Sequence, residues 1–230
     1  DRNKTIVDVT LTDLVANNTM NEHMAALLWT VAAERKSFVS CAVPQYAGKT
    51  TTLSAILEYV PEGTPVHALS GEIDEMREFA SSPDGGYLEV GEISDQKPIR
   101  YIWGEPVKVL FETLRTGFSF VTTMHTEGVE DVFTQICAVN DVSDADASTI
   151  EYVVHIHRFG DDKENYWRRV NGIYEIRGVE DGVPDAVELF GWRESDDSFV
   201  TSNSPELLST SADVIAERAA QIRRDISNRE

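Results

Sequence analysis

The chain has 230 residues, enough for one domain with a sizeable core. Its 40 acidic against 20 basic residues leave a net charge of −20, which repels nucleic-acid phosphates and anionic lipid headgroups and excludes broad polyanion binding. No run of about 18 apolar residues occurs, so nothing in the sequence reads as a membrane-spanning helix.

Hydrophobic residues at 41% and charged residues at 26% suit a globular protein. Only six of the basic residues are Lys, a balance that fits a protein kept soluble in high salt as well as an ordinary acidic one. The start, DRNKTIVDV, has no apolar signal core and no Met, and the chain reads as a fragment or trimmed product. Cys41 and Cys137 sit in apolar sequence without metal-ligand spacing, as buried thiols of a reducing compartment do.

NEHMAALLWTVAAERK (21–36) carries apolar residues at helical spacing behind Asn21, a cap residue. SFVSCAV (37–43) reads as a short buried strand, and the stretch from Val43, VPQYAGKTTTL, follows it. In the phosphate-loop pattern G-x-x-x-x-G-K-[ST], Gly48, Lys49 and Thr50 stand in register, while Val43 occupies the first glycine position. Backbone N–H groups between a buried strand and a helix start converge on one point, which suits a phosphate. Gly48, Lys49, Thr50 and Thr51 are expected to hold a nucleotide, with Lys49 on the β- and γ-phosphates and the Thr50 hydroxyl on Mg²⁺. The plainer alternative is a Gly-Lys turn that caps a helix. Val43 matters only where the backbone needs φ > 0 or has no room for a Cβ.

TTLSAILEYV reads as the helix after the loop, HALS (67–70) as a strand, and residues 81–97 as a polar, Gly-rich stretch containing a loop or hairpin. IRYIW (99–103) reads as a further strand, VKVLFETLRTG as a helix ending on Gly117, FSFVTTMHT (118–126) as a core strand and VEDVFTQICAV as a helix. The β-α-β-α order predicts a largely parallel α/β sheet covered on both faces. From about residue 149, TIEYVVHIHRF, NYWRRVNGIYEIRGV, AVELFGWRES and DSFVT predict an antiparallel meander, followed by an amphipathic helix at 211–227. Residues 1–148 are thus expected to form a nucleotide-binding core, and 149–230 a strand-rich and helical part of the same domain.

Phosphoryl transfer needs a carboxylate at a neighbouring strand end. Glu92 in YLEVGEISD and Glu105 in IRYIWGEP both qualify. IRYIW is the more apolar strand and Glu105 directly precedes a helix, so Glu105 is preferred; Glu92 also reads as a solvated loop carboxylate. His125 ends FSFVTTMHT where ligands of open parallel sheets bind, though a lone His at a strand end also serves as a hydrogen-bonded surface residue. His155 and His157 share one strand face, but no third metal ligand is placed by spacing; exposed strand residues are the better account. Arg168 and Arg169 suit either sheet-edge salt bridges or a nucleotide site, and Trp167 and Trp192 read as core or sheet-face aromatics.

The succession AGKTTTL, GEIDEM (71–76), IWGE (102–105) and TGFSFVTTMHT (116–126), with RRV (168–170) before IYEI, resembles the motor domain of the type II/type IV secretion ATPases, which include pilus and archaellum motors. The resemblance covers roughly residues 10–225. It implies a RecA-like P-loop NTPase core in a homohexameric ring, soluble and cytoplasmic or peripheral to the inner face of the cell membrane. ATP and Mg²⁺ would be its cofactors, and ATP hydrolysis would drive protein secretion or filament assembly against a membrane platform protein. Carried over by position, Glu105 is the catalytic glutamate, His125 the histidine-box residue and Glu72 the acidic-box residue. The sequence departs from the family at Val43, at Phe118 in place of a histidine, in the wording of GEIDEM, and in PVKVLF, which is shorter and lacks an arginine. Those departures also allow a degenerate relative that binds nucleotide weakly and acts as a regulatory or interaction module.

Overall fold

The computed structural model describes residues 9–43, 46–81, 83–96, 98–160 and 166–229. Thr10 and Asp13 cap α1 (Leu11–Ala16) reciprocally, and the Asn21 side chain accepts from Met24 N at 2.9 Å to start α2 (Glu22–Ala33). All four residues of β1 (Phe38–Cys41) are buried. Phe38 faces one apolar cluster and Val39 and Cys41 the other, the alternation of a strand covered on both faces.

The chain then runs through α3 (Lys49–Leu57), β2 (Val66–Ala68), α4 (Ile73–Ser81), β3 (Tyr87–Glu89), β4 (Glu92–Ile93), β5 (Tyr101–Ile102), α5 (Glu105–Leu114) and β6 (Ser119–Met124). After β6 come α6 (Val129–Phe133), which continues as a π-helical turn over Thr134–Val139, and α7 (Asp144–Ala147). The strands β7 (Tyr152–Phe159), β8 (Trp167–Glu180), β9 (Val183–Arg193) and β10 (Ser198–Thr201) follow, then α8 (Ala212–Ser227).

One sheet holds these strands in the order β10-β9-β8-β7-β1-β6-β3-β2, with β4 on β6 and β5 on β4. Pairings from β7 through β1 to β2 are parallel; β7 with β8, β8 with β9 and β9 with β10 are antiparallel. The expected parallel sheet and antiparallel meander are therefore one continuous surface joined at β7. Helices α1, α2, α3 and α8 cover one face and α4, α5 and α6 the other.

The structure differs from expectation over residues 81–97. A loop or hairpin is predicted there, yet Tyr87 and Leu88 are fully buried in β3, inside the parallel sheet. The glycines that read as loop signals permit close packing: a Cβ on Gly86 would meet Pro65 O at 2.3 Å, and one on Gly91 would meet Arg100 O at 2.9 Å. IRYIW, predicted as a sheet strand, contributes only Tyr101–Ile102, paired with β4 beyond the main path.

Candidate functional site

The loop after β1 opens into a cleft of about 470 Å³ lined by Tyr46, Gly48, Lys49, Thr50, Thr51 and residues of other strands. It lies beyond the carboxyl ends of β1 and β6, where open parallel sheets bind ligands, and takes Glu92 from the start of β4. Val43 does not carry a positive φ, whereas Tyr46 (62°) and Gly48 (94°) do. The left-handed backbone thus falls on Gly48, the N-cap of α3, and the first pattern position needs no glycine for its φ. Gly48 O accepts from Thr52 N at 2.9 Å, which sets the first turn of α3.

Lys49 is 8% exposed and Glu92 4%. Lys49 Nζ lies 3.4 Å from Glu92 Oε2, yet neither Nζ nor Glu92 Oε1 has an acceptable hydrogen bond within the chain. Burial draws the Lys49 ammonium below the usual lysine range, and the Glu92 carboxylate works against that shift. Thr123 Oγ1 donates to Glu92 Oε2 at 3.1 Å or to Gly91 O at 3.0 Å, which fixes the carboxylate at the end of β6. Two buried, oppositely charged groups with unfilled hydrogen-bonding capacity fit a site that takes a polar ligand. A phosphate suits Nζ, and a hydrated divalent cation suits Oε1 and the exposed Thr50 hydroxyl.

His125 Nδ1 lies 3.0 Å from the Val43 carbonyl. A carbonyl only accepts, so Nδ1 carries the proton, and in the neutral ring Nε2 presents a lone pair. That nitrogen faces Glu92 Oε1 at 3.7 Å. On the other side of the loop, Arg168 of β8 donates from Nε and Nη2 to the Tyr46 carbonyl at 3.3 and 2.8 Å. Arg168 lies so close to Gly48 that a Cβ there would meet its Cδ at 2.9 Å. The carbonyls of Val43 and Tyr46 are thus each held by a side chain from elsewhere in the sheet, His125 just past β6 and Arg168 on β8.

Of the residues singled out in the sequence, Gly48, Lys49, Thr50, Thr51, His125 and Glu92 line this cleft. Glu105 and Glu72 do not. Glu105 is exposed in the first turn of α5, because β5 is a two-residue strand outside the main sheet path. Glu72 is exposed in the turn before α4. The Gly-Glu that reaches the cleft is Gly91-Glu92, which follows β3 and opens β4. The arginine pair divides: Arg169 forms a two-bond salt bridge with Asp197 at 2.7 Å, while Arg168 lines the cleft. His155 is 6% exposed, not an exposed strand residue, and among the described residues no cluster of three or more His, Cys, Asp or Glu could hold a metal.

No protein-family model matches the sequence. An uncharacterized protein of Methanocaldococcus jannaschii, MJ1287, is 24% identical over 253 aligned positions, covering 95% of this chain and 88% of that protein. Solved structures similar to this chain include the Yersinia pseudotuberculosis ATPase DotB, at 10% identity and a TM-score of 0.48 over 93% of this chain and 55% of that one. Another is the VirB11 ATPase of the Brucella suis type IV secretion system in complex with sulphate, at 12% identity and a TM-score of 0.47 over 70% and 58%. The Legionella pneumophila ATPase DotB is a third, at 14% identity and a TM-score of 0.47 over 67% and 48%. The chain spans about half the length of these solved structures.

Proposed function

We propose that the cleft binds ATP with Mg²⁺ and that the chain is a motor domain of the secretion-ATPase kind. Hydrolysis in a homohexamer would drive protein secretion or pilus-type assembly against a membrane platform protein on the cytoplasmic side. The observation that carries the reading is the buried Lys49–Glu92 pair beside Thr50, where the loop enters α3. The order of motifs along the chain supplies the rest.

In this reading Lys49 binds the phosphate chain, and the amides at the start of α3 orient it. Thr50 would hold Mg²⁺, which would supply charge to screen and polarise the phosphates. Glu92, which lines the cleft as Glu105 does not, orients the attacking water and accepts its proton. His125, with Nδ1 tied to Val43, presents the Nε2 lone pair towards Glu92 and stands ready to receive the proton in turn. Glu72, outside the cleft, is given no step.

Calorimetric titration of Mg-ATP and Mg-ADP into the chain and into Lys49→Ala tests the reading. Affinity near 1 μM, about −8 kcal/mol, that disappears in the variant is the expected result. No heat at millimolar nucleotide would end it.

A further inference from the structure

Three residues give the cleft its formal charge: Lys49 and Arg168 are cationic, and Glu92 is anionic. Glu92 already opposes Lys49 at 3.4 Å, so Arg168 supplies the net positive charge of the cleft in a chain carrying −20. Its guanidinium crosses from β8 to the loop and spends two donors on one neutral acceptor, the Tyr46 carbonyl. The Tyr166 ring covers it at 4.7 Å, which fixes the plane of the fork. Among the described residues no salt bridge engages Arg168, whereas neighbouring Arg169 is paired with Asp197.

We propose that Arg168 is a ligand of the nucleotide's terminal phosphates, contributed by the antiparallel half of the sheet to a loop 122 positions away. The inference rests on the nucleotide reading above and gives the cleft its preference for a triphosphate. A planar guanidinium binds anionic phosphate oxygens more strongly than a lone carbonyl, so Arg168 exchanges Tyr46 O for phosphate when the cleft fills. Gly48 is the residue that leaves room for it, since any side chain there would occupy the path of the guanidinium.

The test is calorimetry with Mg-ATP and with Mg-ADP on the unmodified chain and on Arg168→Ala, Arg168→Gln, Arg168→Lys and Arg158→Ala, each with a thermal melt. Arg168→Ala is expected to weaken ATP about tenfold or more and ADP distinctly less. Arg168→Gln keeps a donor for Tyr46 without the charge and is expected to behave as Ala does, which covers the case of an early-melting Ala variant. Arg168→Lys restores part of the ATP affinity. Arg158 lies over the same Tyr166 ring at 4.9 Å without lining the cleft, and its replacement leaves the ATP-to-ADP ratio unchanged. Equal losses for ATP and ADP, with no recovery in Arg168→Lys, mean that Arg168 only braces the loop and overturn the proposal; so does unchanged ATP affinity in Arg168→Ala. If the unmodified chain binds neither nucleotide, the nucleotide reading itself has failed, a result distinct from either of these.

Discussion

Glu92 and Lys49 face each other across the cleft at 3.4 Å, with side chains only 5% and 9% exposed. Removing one partner of such a pair leaves the other charge buried without its counter-charge. Glu92→Gln is therefore expected to lower the ligand-free melting temperature and yet to retain Mg-ATP binding, because phosphate takes over as counter-charge for Lys49. Single-turnover phosphate release should fall by about 10² to 10⁴. Glu105→Gln, at an exposed helix start, should change neither quantity. A loss of turnover confined to Glu105→Gln would return the catalytic assignment to that residue.

The loop makes opposite predictions at its two glycine positions. Gly48 has φ 94° and no room for a Cβ, so Gly48→Ala should cost about 1–2 kcal/mol of backbone strain and displace Arg168. Adding Arg168→Ala should relieve the steric part and leave the strain, which a double-mutant cycle of melts would separate. Val43→Gly should give no gain in nucleotide affinity, since Val43 already lies outside the positive-φ region. A clear rise in affinity on calorimetry would show that its Cβ obstructs the ligand.

What could be read in advance followed the range of the forces involved. The strand, loop and helix from Phe38 to Leu57 are contiguous, so periodicity and the Gly-Lys-Thr run exposed them together. Glu92 was harder to place because β3 has three residues, too few for an alternation to register, and its flanking glycines resemble a loop although they serve close packing. IRYIW misled for the converse reason: its apolar residues cover a two-residue strand outside the main sheet path. The position of Arg168 was beyond any local pattern, because its partner Tyr46 is 122 residues away and the contact exists only once β7 joins the parallel and antiparallel halves.

His155 carries a pH dependence. Burial pushes its imidazole down to about 4, the neighbouring His157 adds to the shift, and Glu130 opposes it. An unfolded histidine takes up its proton near pH 6.5, so between 6.5 and 4 the unfolded chain binds more protons and stability falls with falling pH. Between pH 7 and pH 5 this single residue should account for about 2 kcal/mol of lost stability. Urea melts of His155→Asn at the two pH values should show a loss smaller by that amount. Parallel losses in the variant and the unmodified chain would mean that the folded ring protonates freely.

Glu175 governs how the C-terminal segment is attached. Its side chain is completely buried in β8 and accepts from Glu206 N and Leu207 N at 3.0 Å, from the Tyr152 hydroxyl at 2.8 Å and from Arg177 Nε at 3.1 Å. Burial alone would raise its pKa, but those donors together hold it below the usual glutamate range. Its contribution is present above the unfolded pKa and is lost as pH falls through the folded one. Glu175→Gln turns one acceptor oxygen into an N–H₂ group facing other donors, a cost of about 3 kcal/mol. The strain should appear first where residues 206–207 lead into α8, which is held on α2 by Arg218 bonding Thr30 at 2.7 Å and lying over Trp29. Hydrogen exchange should therefore accelerate in α8 before the parallel sheet loses protection. Uniform acceleration throughout the chain would place Glu175 in the global core instead of at the seam of its last helix.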